Sequence, residues 1–175
     1  EWVKKNPKQF GYNGVKGGMS GVGFVTAWVT ANSGIGDKLE KGPYSAADKA
    51  TIEKSLASLK EFNKNVVMTP GNAGTLDMLN RGEIAMGPVW VDMFYTWQAD
   101  GKLSPKLKLS LPEPGLPGQP MYYVVPAKAA NAAMARKFVE FAASPEIQAE
   151  GIVKQFNWYP GIDAQHVKAK LDAKS

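Results

Sequence analysis

The chain contains no cysteine, one histidine and only two arginines among its 175 residues. The absence of cysteine excludes disulfides, thiolate metal sites and cysteine nucleophiles. The single histidine, His166, has no second imidazole with which to form a zinc site, and the carboxylates show no HExxH-type spacing. No apolar run approaches the roughly 18 residues that a membrane span requires. The sequence therefore predicts no metal site and no cofactor.

The motifs of common enzyme classes are missing as well. The glycine-rich stretch GVKGGMSGVGF, residues 14–24, contains neither GxGxxG nor GxxxxGK[ST], which makes a nucleotide-phosphate loop unlikely. Its GMSGVG places Ser20 one residue out of the GxSxG pattern of a serine hydrolase. We therefore predict no catalytic residues.

The charge of the chain does not favour nucleic-acid binding. The net charge of +5 comes almost entirely from lysines, and acidic residues lie between them. Nucleic-acid binding usually concentrates Lys and Arg on one face, with Arg prominent. We expect a solvated surface, and the 44% hydrophobic content with 5 Trp, 6 Tyr and 7 Phe predicts a folded chain.

Strand-like and helix-like segments alternate along the chain, which predicts an α/β fold. A short strand in QFGYNG precedes a helix with Ser20 as its N-cap, and the capping box of Ser45 and Asp48 begins a second helix. We expect further strands in VVMT, IAMGPVW and MYYVVP, and one in the proline-rich connector after Gly101. Helices are expected from Asn72, from Asn131 and from Ser144, and in VDMFYTWQADG and DAQHVKAKLDA.

The glycine-rich stretch suits a ligand site of a more general kind. A helix N-terminus offers unpaired N–H groups and a partial positive charge, glycines let a ligand approach the backbone, and Lys16 adds charge. A tight turn that only packs a strand against a helix explains the same residues equally well. Aromatic residues at the ends of elements, such as Trp90 and Tyr122, suit the recognition of polar ligands, although core packing also requires aromatics.

The order of several motifs resembles a known family. These are NRGEIAMGPVW, the proline-rich connector, YYVVPAKAANAAMARKFVEFAASPEIQAEGI and YPG, over roughly residues 72–160. Together they resemble the extracellular, or periplasmic, solute-binding proteins of ATP-binding-cassette (ABC) importers, of the family-1 type, with the type II periplasmic-binding-protein fold. The leading WVKKNPKQFGYNG and GGMSGVGF are similar to the start of the second lobe in that family.

The resemblance implies one lobe plus part of the other, with a mixed sheet flanked by helices. Residues 1–119 would form most of the second lobe, residues 120–163 would return to the first lobe, and residues 164–175 would be a C-terminal helix of the second lobe. The chain would then be a C-terminal fragment that lacks the first-lobe segment. It would be expected to cover its open cleft surface by dimerising or by exchanging segments.

The resemblance also implies a function at the periplasmic or extracellular face of a bacterial membrane. A small polar or anionic solute would be captured in a cleft between lobes and delivered to the permease subunits by hinge closure. By position, the ligand contacts would be Gly18, Met19, Ser20, Gly21, Asn72, Thr75, Trp90, Asp92 and Tyr122. Polyamine binders of this kind carry an acid shortly before the VP, and ferric-ion binders carry adjacent tyrosines after the GE strand. Both features are missing here, which argues against a polyamine and against a ferric ion as the solute.

Two other functions stay open at this point. An enzyme on the same bilobal scaffold, such as a transferase-like relative, would place an acid or base pair in the cleft. An interaction module would instead use exposed aromatic side chains to bind another protein.

Overall fold

The computed structural model describes residues 1–113, 115–118 and 122–172. The described part forms two compact units. Glu1–Trp90 and Asp100–Gly118 make up the first unit, and Val91–Ala99 with Gln119–Ser175 make up the second. The expected domain limit at residues 119 and 120 falls outside the described residues, as do the last three residues of the expected C-terminal segment. The predicted domain limits therefore stay a prediction.

The first unit is built on parallel strands flanked by helices. Helix α1, Trp2–Lys5, precedes β1, Phe10–Tyr12, and helices α2 and α3 follow as Met19–Ser33 and Gly36–Lys41. A 3₁₀ turn, Ala46–Asp48, begins α4, Lys49–Asn63, which leads into β2, Val66–Met68, and α5, Asn72–Asn80. Strands β1 and β2 pair in parallel, with Tyr12 opposite Met68.

An aromatic cluster joins β1, α2 and α4 in the first unit. Its members are Phe10, Tyr12, Phe24, Trp28 and Phe62, with ring centroids 4.7–6.2 Å apart. The ring nitrogen of Trp28 donates hydrogen bonds to α4, at 3.2 Å to the Ser55 carbonyl and 3.0 Å to the Ser58 hydroxyl. The core continues with the buried side chains of Leu59, Val66, Leu76 and Ile84. This packing fixes the positions at which α2 and α5 begin.

The second unit consists of helices in its described part. Helix α6 spans Val91–Ala99, α7 spans Ala132–Ala142, and α8, Pro145–Ile147, continues as a π-helix over Gln148–Gln155. Helix α9 is Ala164–Lys168. The side chain of Gln148 is 2% exposed, donating to the Ala142 carbonyl and accepting from the Gly161 N–H, each at 2.6 Å. This residue joins the end of α7 to the loop after the π-helix.

Three predicted strands do not form in the described residues. IAMGPVW contributes only an isolated parallel bridge between Phe10 and Met86. Gly87 and Pro88 follow that bridge at once, and proline has no N–H with which to extend a ladder. No strand is present in the described part of the proline-rich connector or at residues 122–126. A strand is stable only in a ladder with a neighbouring strand, and among the described residues the sheet contains only β1 and β2.

Most predicted helices are confirmed, with one correction at the start of α2. The N-cap of α2 is Gly18, so the predicted cap, Ser20, is the second helical residue. Its hydroxyl forms hydrogen bonds to another helix, as described below. At the other end, Gly34 ends α2 in the left-handed conformation, with φ 75°. The mixed α/β architecture agrees with the predicted fold class. No helix in the described ranges is long and apolar enough to cross a membrane.

Candidate functional site

Helices α2 and α5 begin at the same edge of the small sheet. A six-residue loop joins the end of β1 to α2, and Thr69, Pro70 and Gly71 join the end of β2 to α5. Because β1 and β2 are parallel and paired in register, their carboxyl ends lie side by side. Ligands of open α/β sheets commonly bind at such carboxyl edges. We call this edge of the first unit, with the first turns of α2 and α5, the carboxyl edge.

The two helices begin with glycines in nearly the same unusual conformation. Gly18 has φ 142° and ψ 174°, and Gly71 has φ 149° and ψ −178°. L-residues with a side chain rarely adopt this region. A Cβ on Gly18 would also lie 2.6 Å from the Oδ1 atom of Asn72. Glycine at position 18 is therefore needed for both the turn and the close approach of α5.

Asn72 joins the two helix N-termini through its side-chain carbonyl. Its Oδ1 atom accepts hydrogen bonds from Asn13 Nδ2 at 2.8 Å, Ser20 Oγ at 2.7 Å and Ser20 N at 3.4 Å. Asn13 and Ser20 are 6% and 7% exposed, and Ser20 Oγ also lies 3.1 Å from Asn13 Oδ1. These side chains satisfy one another. The cluster therefore positions the backbone of the carboxyl edge.

A second buried pair supports the start of α5. The Thr69 and Thr75 hydroxyls are 2.5 Å apart, and the Thr75 hydroxyl donates to the Gly71 carbonyl at 3.0 Å. Because Thr75 has one hydroxyl proton and uses it on Gly71, Thr69 is the donor in the shared bond. Thr75 is fully buried. Its contribution to the carboxyl edge is thus to hold the Gly71 turn.

The unpaired groups at the carboxyl edge are mainly backbone donors. Among the described residues, the N–H groups of Met19, Asn72, Ala73 and Gly74 form no hydrogen bond with a protein acceptor. First-turn N–H groups have no partner inside their own helix, and the helix dipole makes them partly positive. Lys16, in the loop before α2, is exposed and makes no ion pair with a described residue. The edge therefore favours hydrogen-bond acceptors and negative charge.

Apolar side chains border these donors. Val15, Met19 and Met68 are 56%, 43% and 53% exposed. Val15 belongs to the loop before α2, Met19 is the first residue of α2, and Met68 ends β2. Apolar side chains beside a few placed polar groups are typical of the lining of small-molecule sites.

Tyr12 lies beneath the carboxyl edge and stays neutral. Its side chain is 2% exposed, and its hydroxyl donates to Asn63 Oδ1 at 2.9 Å. Burial raises the pKa of the Tyr12 phenol, and the hydrogen bond to Asn63 opposes this increase only in part. The phenol is therefore a structural hydrogen-bond donor between β1 and α4.

The structure brings together six of the nine predicted contact residues at the starts of α2 and α5. Gly18, Ser20 and Gly21 lie at the start of α2, and Asn72 and Thr75 lie at the start of α5. Met19 lies at the same helix start with an exposed side chain. Ligand binding by these residues stays a prediction.

The other three predicted contacts lie elsewhere in the chain. Trp90 is half-buried and is the last residue of Glu1–Trp90, the longer of the two segments that form the first unit. Asp92 and Tyr122 belong to the second unit. Asp92 lies in the first turn of α6, and its Oδ1 atom is buried without a hydrogen-bond partner in the described part of the chain. Tyr122 is 80% exposed. Their part in a site stays a prediction.

Asn13 and Thr69 were not among the site residues predicted from the sequence. Each residue directly follows a short strand, at the position from which side chains of parallel sheets reach a ligand edge. That position was a usable signal.

Within the described residues, no group of three or more His, Cys, Asp or Glu side chains could hold a metal ion.

Comparison with known families identifies the chain. The sequence model of the family described as "Bacterial extracellular solute-binding protein" matches residues 1–164. The chain belongs to this family. No curated protein and no solved structure matches the chain significantly.

Membership confirms the predicted resemblance to solute-binding proteins and agrees with the mixed α/β fold. Bacterial extracellular solute-binding proteins are typically non-enzymatic and serve transport by binding a small solute outside the cell. The carboxyl edge, where two helix N-termini meet, is the candidate solute site in the first unit of this family member.

Proposed function

We propose that the chain is the solute-binding component of an ABC importer that captures a small polar or anionic solute. Membership of the extracellular solute-binding family supports the general role. One observation supports the polar or anionic character of the solute. Helices α2 and α5 begin side by side, and Asn72 Oδ1 accepts from Ser20 while the first N–H groups of α5 stay unpaired.

The chemistry of the carboxyl edge favours a carboxylate, a phosphate or a carbonyl group of the solute. Two helix N-termini add their partial positive charges, each of about half an elementary charge. Backbone N–H groups at such ends bind anions without a dedicated cationic side chain. Lys16 adds a full charge in the adjoining loop. The exposed side chains of Val15, Met19 and Met68 would contact an apolar part of the same solute.

The proposal places the protein in the periplasm or at the outer face of the bacterial membrane. There it would deliver its solute to the permease subunits of the importer. Closure of two lobes around the solute would stabilise the closed state through contacts that only this state makes. We propose no enzymatic activity, since the polar side chains at the carboxyl edge are amides and hydroxyls that bond to one another.

The decisive experiment compares two asparagine variants of α5. Asn72→Ala removes the acceptor that joins α2 to α5, whereas Asn80→Ala changes the other end of the same helix. Asn80 donates to the Lys102 carbonyl at 2.9 Å and accepts from the Ser104 N–H at 2.8 Å, so both variants lose hydrogen bonds of a half-buried asparagine. Only Asn72 contributes to the carboxyl edge.

The Kd is measured by isothermal titration calorimetry with inorganic phosphate, sulfate, dicarboxylates, amino acids, sugars and sugar phosphates. We expect saturable binding of at least one anionic or acceptor-rich compound. We expect Asn72→Ala to weaken that binding at least tenfold, which corresponds to about 1.4 kcal/mol. Asn80→Ala should bind like the wild type. Absence of binding by every compound, or equal losses in both variants, would contradict the proposal.

A further inference from the structure

A groove between the end of α2 and the first half of α4 is lined mainly by polar side chains. Its volume is about 510 Å³, within the range of roughly 300–1,000 Å³ that small-molecule sites occupy. It therefore has room for far more than one water molecule, which takes up about 30 Å³ in the liquid. Hydroxyl, amide and ammonium groups line it, from Asn32, Ser33, Thr51, Lys54, Ser55 and Ser58. We call it the hydroxyl groove.

The hydroxyl groove lies at the opposite end of α2 from the carboxyl edge. Phe24 of α2 packs against Phe62, near the end of α4. Trp28, one turn further along α2, donates hydrogen bonds to Ser55 and Ser58, which come earlier in α4. The two helices are therefore antiparallel, and the groove lies one turn beyond Trp28. The 15 residues of α2 span about 22 Å at 1.5 Å per residue, which separates the groove from the carboxyl edge.

Ser55 is the most buried residue of this lining and has a hydroxyl without a protein partner. It is 3% exposed, and its Oγ atom is buried and forms no hydrogen bond in the described part of the chain. A helical serine can donate to a carbonyl of the preceding turn, as the Ser58 hydroxyl does to the Ser55 carbonyl at 2.7 Å. Because an unpaired buried hydroxyl is unfavourable, the position of Ser55 favours a ligand group that bonds to it.

The lining offers both hydrogen-bond donors and acceptors. The Ser33 hydroxyl accepts from a backbone N–H at 3.2 Å, which leaves its proton available. The Asn32 amide group donates to a backbone carbonyl of α2 at 2.8 Å, which leaves its Oδ1 atom as an acceptor. The hydroxyls of Thr51 and Ser55 can do both. The hydroxyl groups of a ligand also donate and accept, so they match this mixture.

The remaining chemistry of the lining favours a small neutral ligand. Lys54 is exposed and is the charged side chain among the lining residues, while the last carbonyls of α2 carry a partial negative charge. These opposite charges give no preference for an anion or a cation. Contact surfaces between proteins are enriched in aromatic residues, Met and Arg and depleted in Ser, Ala and Lys. The lining has the depleted types, so a protein segment is a poor match for it.

The aromatic cluster of the first unit holds the groove in shape. The ring of Trp28 packs against Phe62, with centroids 4.7 Å apart, and its Nε1 atom donates to the Ser58 hydroxyl at 3.0 Å. Ser58 thus uses its hydroxyl within the protein, as an acceptor from Trp28 and a donor to the Ser55 carbonyl. A groove with such a fixed wall loses little conformational freedom when a ligand binds.

We propose that the hydroxyl groove is a second binding site of the first unit, which binds a neutral polyhydroxylated compound such as a monosaccharide or a polyol. Ser55 exchanges hydrogen bonds with one ligand hydroxyl, and Ser33 and Thr51 bond to others. This ligand differs in chemistry from the anionic or acceptor-rich solute of the carboxyl edge, which lies about 20 Å away. Binding in the groove therefore does not depend on the function proposed above.

Nuclear magnetic resonance of the isotope-labelled 175-residue chain tests the proposal. Titrations with glucose, galactose, glycerol and inositol should include at least one compound that shifts the backbone N–H signals of Ser33, Thr51 and Ser55 saturably. The signals of Ser20 and Asn72, at the carboxyl edge, should stay unchanged in that titration. Sulfate is the anionic control and should leave the signals of the groove unchanged.

Ser55→Ala removes the unpaired hydroxyl and tests its contact with the ligand. We expect it to raise the Kd of the bound compound about fivefold, which is the typical effect of one hydrogen bond. It should not lower the urea midpoint of the free chain, because this hydroxyl bonds to no described protein group. Thr26→Ala removes an exposed hydroxyl of α2 outside the groove and should bind like the wild type.

Each part of the proposal has a result that would overturn it. Absence of saturable shifts at Ser33, Thr51 and Ser55 with every neutral compound would refute the site. Shifts confined to Ser20 and Asn72 would assign the compound to the carboxyl edge and leave no second site. Shifts of the groove signals by sulfate as large as those by the neutral compounds would refute the ligand class. Equal affinities of Ser55→Ala and the wild type would show that the ligand does not contact Ser55, which would also refute the proposal.

Discussion

At the residue scale, two glycines of the same helix differ in what they allow. Gly18 begins α2 with φ 142°, and its Cβ position is 2.6 Å from Asn72 Oδ1. Gly23 lies inside α2, and nothing is within 4 Å of its Cβ position. The sequence alone does not distinguish them, because both belong to one glycine-rich stretch. The difference comes from α5, which begins 54 residues after Gly18 in the chain.

We predict opposite effects of alanine at these two positions. Gly18→Ala should lower the free energy of unfolding by roughly 1–3 kcal/mol, because alanine strains the backbone and displaces Asn72. Gly23→Ala should raise it by about 0.5–1 kcal/mol, since alanine favours a helix interior. Urea unfolding monitored by circular dichroism measures both. Equal effects of the two substitutions would mean that Gly18 has neither the positive φ nor the close contact with Asn72 on which the prediction depends.

At the scale of elements, local signals predicted helix boundaries well. Ser45 and Asp48 form the predicted capping box, in which Asp48 Oδ2 lies 2.7 Å from Ser45 N and 2.8 Å from Ser45 Oγ. Ser144 accepts from the N–H of Ile147, with Pro145 in the first helical position. Each of these motifs involves residues at most three apart. The information is therefore present in the sequence itself.

The charge of the Asp48 carboxylate, at the start of α4, should make the stability of the fold depend on pH. A hydrogen bond from the Lys38 ammonium at 2.6 Å, aided by the N–H and hydroxyl of Ser45, lowers the pKa of Asp48 from 3.8 to about 2. A pKa that is lower in the folded state adds stability above the unfolded value and loses it as the pH falls through the folded value. The contribution of the Asp48 charge should thus be complete well above pH 3.8, largely lost by about pH 2, and absent only at lower pH.

We predict that Asp48→Asn lowers the urea midpoint at neutral pH and that the gap to the wild type narrows as the pH falls from 3.8 to about 2. Unfolding curves at a series of pH values measure this gap. Asp100→Asn is the control, because Asp100 forms an exposed pair with Lys102, and such pairs contribute little. A gap that persists unchanged at pH 2 would show that the lost packing of Asp48, rather than its charge, is responsible.

The strands and the candidate site depend on contacts between residues far apart in the chain, and local sequence patterns do not reveal such contacts. IAMGPVW is apolar enough for a strand, yet Gly87 and Pro88 limit it to one bridge with Phe10. A strand exists only where a distant segment pairs with it. Likewise, the family resemblance indicated Ser20 and Asn72 separately, but their hydrogen bond spans 52 residues. The position of Asn13 after a strand was a signal in the sequence, whereas its hydrogen bonds to Asn72 and Ser20 follow only from the fold.

At the scale of the whole molecule, the positive charge has two separable consequences. The net charge of +5 attracts any anion from a distance, whereas Lys16 acts at the carboxyl edge itself. Lys60 offers a matched comparison, since it lies in the last turn of α4, which leads into the opposite end of β2. Lys16→Gln and Lys60→Gln each lower the net charge of the chain by one, from +5 to +4.

We predict that Lys16→Gln weakens binding of the anionic solute about three- to tenfold, within the range of about 0.5–1.5 kcal/mol for one partly solvated charge. It should also flatten the dependence of Kd on salt, because one local ion contact is gone. Lys60→Gln should leave Kd nearly unchanged. Titrations at low and high salt with all three proteins measure these quantities. Equal losses in both variants would mean that the general field of the protein, and not the carboxyl edge, attracts the solute, while no loss in either would place the anion away from Lys16.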